Sequence, residues 1–347
     1  MINFPLYYLK GVDSALQDNN QEKKKRFKIF DSQREGKGVE KSDFDKTPNL
    51  KRFFRLYKDN LNKLLSLNIV MVLGLFPVIF LILGLSDVMN IGFITPASDI
   101  YSAFRAVLLT KDSISPSELI SIGIDGLQIS ESARTLGNYI FFALSLLTFF
   151  TFGFVNVGAA YVTRNIIKGD PVFVYSDFIY AIRRNWKQAL PFGMLDLFLS
   201  ILILFNVWTT LQAGGGLFNG VLFWANLIFG LIYFFMRNYY YLQMVTFDLK
   251  SFKIIKNSLI FALIGWKRNL LAILGVLLLL LFNLTFVFGF GGVLLPVGIA
   301  FPLIALLSHS VFMTSYAAYY KIKEMMIDPY YDEYGNELET EEASENA

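Results

Sequence analysis

Apolar runs of about twenty residues, enough to cross a bilayer, alternate along this chain with short basic stretches whose apolar positions recur every three or four residues. In the first such stretch Leu50, Phe53, Phe54, Tyr57, Leu61 and Leu64 stripe one helical face, while Lys51, Arg52, Arg55 and Lys58 lie opposite. That pattern predicts an amphipathic helix lying in the membrane interface. It returns at Tyr175, Phe178, Ile179, Ile182, Trp186, Ala189 and Leu190, and again at Phe252, Ile255, Leu259, Ala262, Leu263 and Trp266. Each stripe runs directly into an apolar span. The predicted spans are 64–85, 137–161, 189–211, 217–235, 269–288 and 293–316, the first interrupted by Asn68 and Pro77.

The expected fold class is therefore all-α: a polytopic membrane helical bundle of six transmembrane helices with three cytoplasmic amphipathic interfacial helices. Residues 1–48 read as a basic cytoplasmic region, 49–325 as the membrane domain, and 326–347 as an acidic tail too polar to bury a core. Glycine-rich connectors at 212–216 and 289–292 predict two tight helical hairpins. Between the first two spans, 86–136 reads as a partly helical external loop with turn signals at Thr95-Pro96 and Ser115-Pro116.

The three stripes also suggest a repeated unit of interfacial helix plus helical hairpin. Trp186-Lys187 and Trp266-Lys267 occupy equivalent places where stripe meets span, and Arg164-Asn165 and Arg237-Asn238 follow the second and fourth spans. Arg237 to Trp266 is seven residues longer than Arg164 to Trp186, about two helical turns. The fourth helix is accordingly expected to continue past its span through Tyr239 to Val245. The alternative is the general habit of polytopic proteins to place basic amphipathic segments before spans.

Composition supports the bilayer reading: 54% of residues are hydrophobic, with 35 Phe and 18 Tyr, and only 17% are charged. The net charge of +3 conceals a strong segregation. With the N-terminus inside, cytoplasmic segments carry all but Arg105, Lys111 and Arg134 of the 31 Lys and Arg, which sets the expected orientation with both termini in the cytoplasm. The basic N-terminal region lacks the apolar core of a cleavable leader, so insertion is expected to be directed by the internal spans. Its cluster at Lys23, Lys24, Lys25, Arg26 and Lys28 is either a solvated orientation determinant or a contact for anionic lipid.

The chemistry these residues exclude is broad. There is no Cys and a single His, so disulfides, thiolate metal sites and histidine-based triads or metal sites are not expected. Phosphate-binding Gly-Lys-Ser/Thr loops and Gly-x-Ser-x-Gly elbows are missing, and the basic patches lack the aromatic interleaving of a nucleic-acid surface. The expectation is a protein that is not an enzyme, with no catalytic residues, no cofactor, no metal and no nucleic acid.

What remains are polar side chains inside the spans. Asp196 lies about 10 Å into the third span, where an ionised carboxylate is costly and marks either a functional site or a structural ion pair. Arg164, Arg237 and Lys187 are its candidate partners. His309 falls near mid-membrane, as a proton relay or an interhelix hydrogen bond. Asn68 and Asn156 join them as intramembrane candidates that contact neighbouring helices or line a polar path. At the cytoplasmic face the candidates are Arg164, Arg237, Asp248, Arg183, Arg184, Trp186 and Trp266.

Phe53-Phe54-Arg55, Leu67-Asn68 and Pro77, then Gly158, Ala160-Tyr161 and Asp170, surround the first two spans. Ser176-Asp177-Phe178, Asn185-Trp186-Lys187-Gln188-Ala189, Thr246-Phe247-Asp248 and Lys256-Asn257-Ser258 follow. In order and spacing, over about 34–325 and interrupted by the external loop, these residues resemble the YesL-like integral membrane proteins, a bacterial family without an established activity. The resemblance implies a link to carbohydrate ABC importers, and so a non-enzymatic accessory or assembly component with the bilayer and importer subunits as partners. The coupling signature Glu-Ala-Ala…Gly of an importer permease is missing. The alternative is a self-sufficient small-solute transporter or channel.

Overall fold

The chain enters its first helix through a side-chain cap: Asn49 Oδ1 accepts from the Arg52 N–H at 2.7 Å, and helix α1 (Leu50–Asp59) ends on Asn60 with Lys58 in its last turn. The computed structural model describes residues 48–96 and 98–330. The basic region before 48 and most of the acidic tail after 330 lie outside the described residues.

Two compact units divide the chain, Met1–Gly74 with Phe149–Ala347, and Leu75–Thr148. In the larger unit α1 is followed by α2 (Leu61–Gly74), which stops three residues before Pro77; Pro77 has no N–H to donate to a continuing helix. The smaller unit holds α3 (Val78–Leu85), a two-stranded antiparallel ribbon of β1 (Ile91–Pro96) and β2 (Leu127–Ala133), the intervening α4 (Tyr101–Leu108) and α5 (Pro116–Asp125), and α6 (Leu136–Ser145). The ribbon pairs Ile91 with Ala133 and slips register between Thr95 and Pro96. The sequence pattern had not indicated strands there. Gly84 lets α3 lie against the Phe142 ring, and Asn138 of α6 donates to the Gly84 carbonyl at 3.3 Å.

The larger unit continues with α7 (Thr148–Lys168), α8 (Val174–Gln212), α9 (Leu217–Thr246), α10 (Ser251–Ile264), α11 (Trp266–Phe288), α12 (Leu295–Phe301) and, after a π-helical turn at Pro302–Leu306, α13 (Leu307–Met326). Among the described residues five helices are long and apolar enough to cross a membrane, or six if the bent pair α2 and α3 is one span. The chain is thus a multi-pass membrane protein, mostly helical. Two expected hairpins are present: 213–216 turns at Gly214 with φ +76°, and 289–294 turns through Gly291 and Gly292 at φ +59° and +82°.

The amphipathic stripes behave differently from one another. Residues 175–188 are not a separate interfacial helix but the first half of α8, which runs unbroken for 39 residues through Pro191. The third stripe is a helix of its own, α10, divided from α11 at Gly265, and the first is α1, divided from α2 at Asn60. Nor does α1 offer its whole apolar face to lipid. Phe53 packs on Phe312 and Tyr316 of α13, with ring centroids 5.5 and 5.2 Å apart, and Tyr57 stands edge-on to His309 at 5.3 Å.

Side chains pack most closely where α7, α9 and α13 end and α2, α8 and α10 begin. The final turns of α9, Tyr239 through Thr246, are buried at every position, as expected of a helix that is apolar all round and enclosed. Their polar groups are tied to neighbours: Tyr239 donates to Asn269 at 3.1 Å and Gln243 to Ser258 at 3.0 Å. The expected extension of the fourth helix is therefore present and forms the core of the unit. The opposite halves of the helices remain apolar and exposed; along the apolar stretch of α11 after Asn269, Val276 alone is buried. Such a surface requires an apolar solvent.

Candidate functional site

Gly153 on α7 and Gly193 on α8 are in direct backbone contact: a Cβ on either would collide with the other's main chain. Near this crossing Asn156 on α7 and Asp196 on α8 both reach one side chain of α9, Arg237. Opposite them α9 presents Tyr233, Arg237 and Tyr241, at four-residue intervals and hence on one face.

Asp196 is completely buried, and its two oxygens are divided among three donor side chains. Oδ1 accepts from the Tyr233 hydroxyl at 2.8 Å and from Arg237 Nε at 2.9 Å. Oδ2 accepts from Arg237 Nη2 at 2.9 Å and the Tyr241 hydroxyl at 2.7 Å, with Nε shared at 3.1 Å. A carboxylate offers about four lone-pair sites, and four N–H or O–H donors meet them here. Asn156 completes the group, accepting from Arg237 Nη2 at 3.4 Å while its amide donates to the Phe152 carbonyl at 2.9 Å. The guanidinium also lies over the rings of Phe152 and Tyr241, at 5.4 and 5.9 Å.

Of the three candidate partners for Asp196, then, Arg237 is the one that pairs with it. Arg164 instead closes the end of α9: its Nη1 donates to the Val245 carbonyl at 2.5 Å, its Nε and Nη2 hold Asn165, and it lies 4.6 Å from the Tyr161 ring centroid. A cation at the end of a helix meets carbonyls that have no intrahelical donor. Lys187 sits beside Trp186 at 5.8 Å. Arg164 and Arg237 correspond in the sequence repeat, but their partners differ.

Asn68 and His309 form a second group around the π-helical turn. Pro302 lacks an N–H and the turn displaces carbonyls from the usual ladder. Asn68 repairs the break from α2: its amide donates to the Pro302 and Leu303 carbonyls at 3.1 and 2.8 Å, and its Oδ1 accepts from the Ser308 N–H at 2.9 Å. His309 Nδ1 lies 2.6 Å from the Ala305 carbonyl and 3.2 Å from Ser308 Oγ. The geometry at Ala305 calls for a proton on Nδ1, since a carbonyl can only accept.

The remaining candidates are at the surface. Trp186 and Trp266 are each about half exposed, and each carries the next lysine at 5.8 Å from its ring. Arg183 is exposed, Arg184 reaches the Tyr180 hydroxyl at 3.1 Å, and Asp248 lies exposed in the turn after α9. Among the described residues no group of three His, Asp or Glu side chains comes together to hold a metal. Tyr233 and Tyr241 are absent from the candidates read from sequence; the available signal was their four-residue spacing on either side of Arg237. No family model, curated protein or solved structure matches the chain, so its reading rests on this geometry.

Proposed function

We propose that this chain is a non-enzymatic accessory or assembly component of the bacterial inner membrane, with both termini in the cytoplasm, six spans, and the bilayer and other membrane proteins as its partners. The observation that carries this reading is the saturated carboxylate of Asp196. With Arg237, Tyr233 and Tyr241 occupying its lone pairs, it has no acceptor left for a travelling proton or cation. Asn68, Asn156 and His309 are also bonded within the chain. Asp196, Asn68 and Asn156 tie neighbouring helices together, His309 bonds within its own helix, and the basic, aromatic faces around Arg183, Arg184 and Trp186 and around Trp266 are left to meet partners. The likeness to YesL-like proteins supplies the candidate partner, a carbohydrate ABC importer.

Purification from the native membrane is expected to recover importer subunits with the protein. Arg183→Glu with Arg184→Glu should leave its membrane abundance nearly unchanged and reduce that recovery, whereas Ile182→Asp should lower abundance. Equal loss of protein in both variants, or a clean lone protein from the wild type, would overturn the docking role.

A second reading, a self-sufficient transporter or channel, is favoured by one fact: Asp196 and Arg237 form an ion pair within candidate spans, a group that alternating access could break and remake. Solute movement by the purified protein in liposomes, altered by Asp196→Asn, would establish it in place of the first.

A further inference from the structure

A groove of about 460 Å³ runs between α1, α11 and α13, within the ~300–1,000 Å³ typical of small-molecule sites. Along one wall stand Leu271, Leu274, Leu278 and Phe282 of α11, each more than half exposed. Gly275 forms the floor, where a Cβ would come within 3.0 Å of Met313 Sδ on α13. The facing wall is Phe53 and Phe54 of α1, which is fastened to α13 by the Tyr316 hydroxyl donating to the Asn49 carbonyl at 2.9 Å.

The polar end of the groove is cationic. Arg268 is 41% exposed there, and its Nη1 meets Glu324 only at 3.9 Å, beyond hydrogen-bonding reach, with no other hydrogen bond among the described residues. Beside it the Tyr320 hydroxyl is enclosed next to Tyr316, and the Arg52 guanidinium lies over the Tyr320 ring at 5.5 Å. Trp266 and Lys267 immediately precede Arg268, and an exposed indole belongs at headgroup depth. From Arg268 to Phe282 is fourteen residues of helix, about 21 Å. One leaflet, half of a bilayer of ~40–45 Å including headgroups, has the same depth.

We propose that this groove binds one anionic phospholipid, its acyl chain along Leu271 to Phe282 and its phosphate at Arg268. The charge at one end, the apolar wall and the matching length together select a lipid. A free phosphate would leave the wall uncovered, and a zwitterionic lipid would bring no net negative charge to the Arg268 end, where Glu324 is shared with Lys321.

The test uses the full-length protein, delipidated in mild detergent, with native mass spectrometry reading the lipid retained from phosphatidylglycerol or phosphatidylcholine of identical chains. Phosphatidylglycerol should be retained preferentially, and Arg268→Gln should weaken its binding about fivefold. Ala272→Phe, which fills the groove one helical turn from Arg268, should abolish retention, and inorganic phosphate should not compete. Should Arg268→Gln fail to fold, Ala272→Phe and the competition decide. Equal retention of both lipids, unchanged binding in Ala272→Phe, or displacement by inorganic phosphate would overturn the proposal. So would a photo-crosslinker at position 278 that captures residues 1–47 or a second copy of the chain.

Discussion

Removing the Asp196 carboxylate would leave the Arg237 guanidinium among apolar helices without its counter-charge. Loss of one member of a buried ion pair costs about 3–5 kcal/mol, while replacing both members by apolar side chains of similar volume is often neutral. Asp196→Asn should therefore sharply lower the thermal stability of the purified protein, and Asp196→Leu combined with Arg237→Met should recover most of it. Equal destabilisation by the single and double variants would assign the effect to the two tyrosines. A second carboxylate acts at the surface of the smaller unit. In α5 the Ser115 hydroxyl and Glu118 side chain form a capping box, and the Glu118 carboxylate also holds Lys111. The Lys111 hydrogen bond first, and then those from Ser115, lower the Glu118 pKa from 4.5 to about 2. Because the folded value is the depressed one, the contribution is present above 4.5 and is lost as pH falls towards 2. The stability difference between wild type and Glu118→Gln, measured by thermal unfolding at a series of pH values, should shrink across that window.

At the level of elements the contact between α7 and α8 is decided by two absent side chains. Gly153→Ala would drive a methyl group into the Ala189 carbonyl and the Gly193 backbone, and neither can move without separating the helices. Small residues where membrane helices cross permit such close approach. Gly153→Ala should reduce the amount of folded protein in the membrane and displace Asn156 from Arg237. Gly215→Ala, in the α8–α9 connector with nothing within 4 Å of a new methyl, should leave that amount unchanged. Quantifying both variants in membranes separates a requirement for the crossing from a general intolerance of substitution. The same crossing explains why residues 175–188 continue into the span as α8. Phe178 is buried against Gly158 of α7, so part of the stripe that an isolated helix would turn to lipid is held by protein, while Tyr175 and Trp186 stay exposed.

For the whole molecule the proposed topology has a direct test. Cysteine accessibility at Ser113, in the smaller unit, should be external, and at Ser251, the first residue of α10, cytoplasmic; labelling of Ser251 from outside would overturn the orientation. The distribution of packing suggests where tolerance to substitution lies. Around the end of α9, Tyr239 to Thr246 is buried throughout, and large-to-small changes there carry the usual cost of a cavity, about 2–5 kcal/mol. The exposed apolar stretch of α11 is set by lipid, and conservative apolar changes there should be accommodated.

Apolar run lengths determined that the chain crosses a membrane several times, glycine-rich connectors that 212–216 and 289–292 are tight turns, and the Arg-to-Trp spacing that the fourth helix outlasts its span. Those features depend on local composition, charge and the 3.6-residue period, all written along the chain. Asp196 was also legible as costly, because burial of a carboxylate is predictable from its apolar neighbours in sequence. Its partner was not: Arg164, Arg237 and Lys187 were equivalent candidates until the Gly153–Gly193 crossing and the face shared by Tyr233, Arg237 and Tyr241 selected one. Likewise Asn68 acquires its role from a π-helical turn more than 230 residues away in sequence. In a chain whose spans are apolar on every side, hydrophobicity cannot distinguish a helix face that meets lipid from one that meets protein. That choice is made by shape and hydrogen bonding between distant segments, and so by the tertiary structure alone.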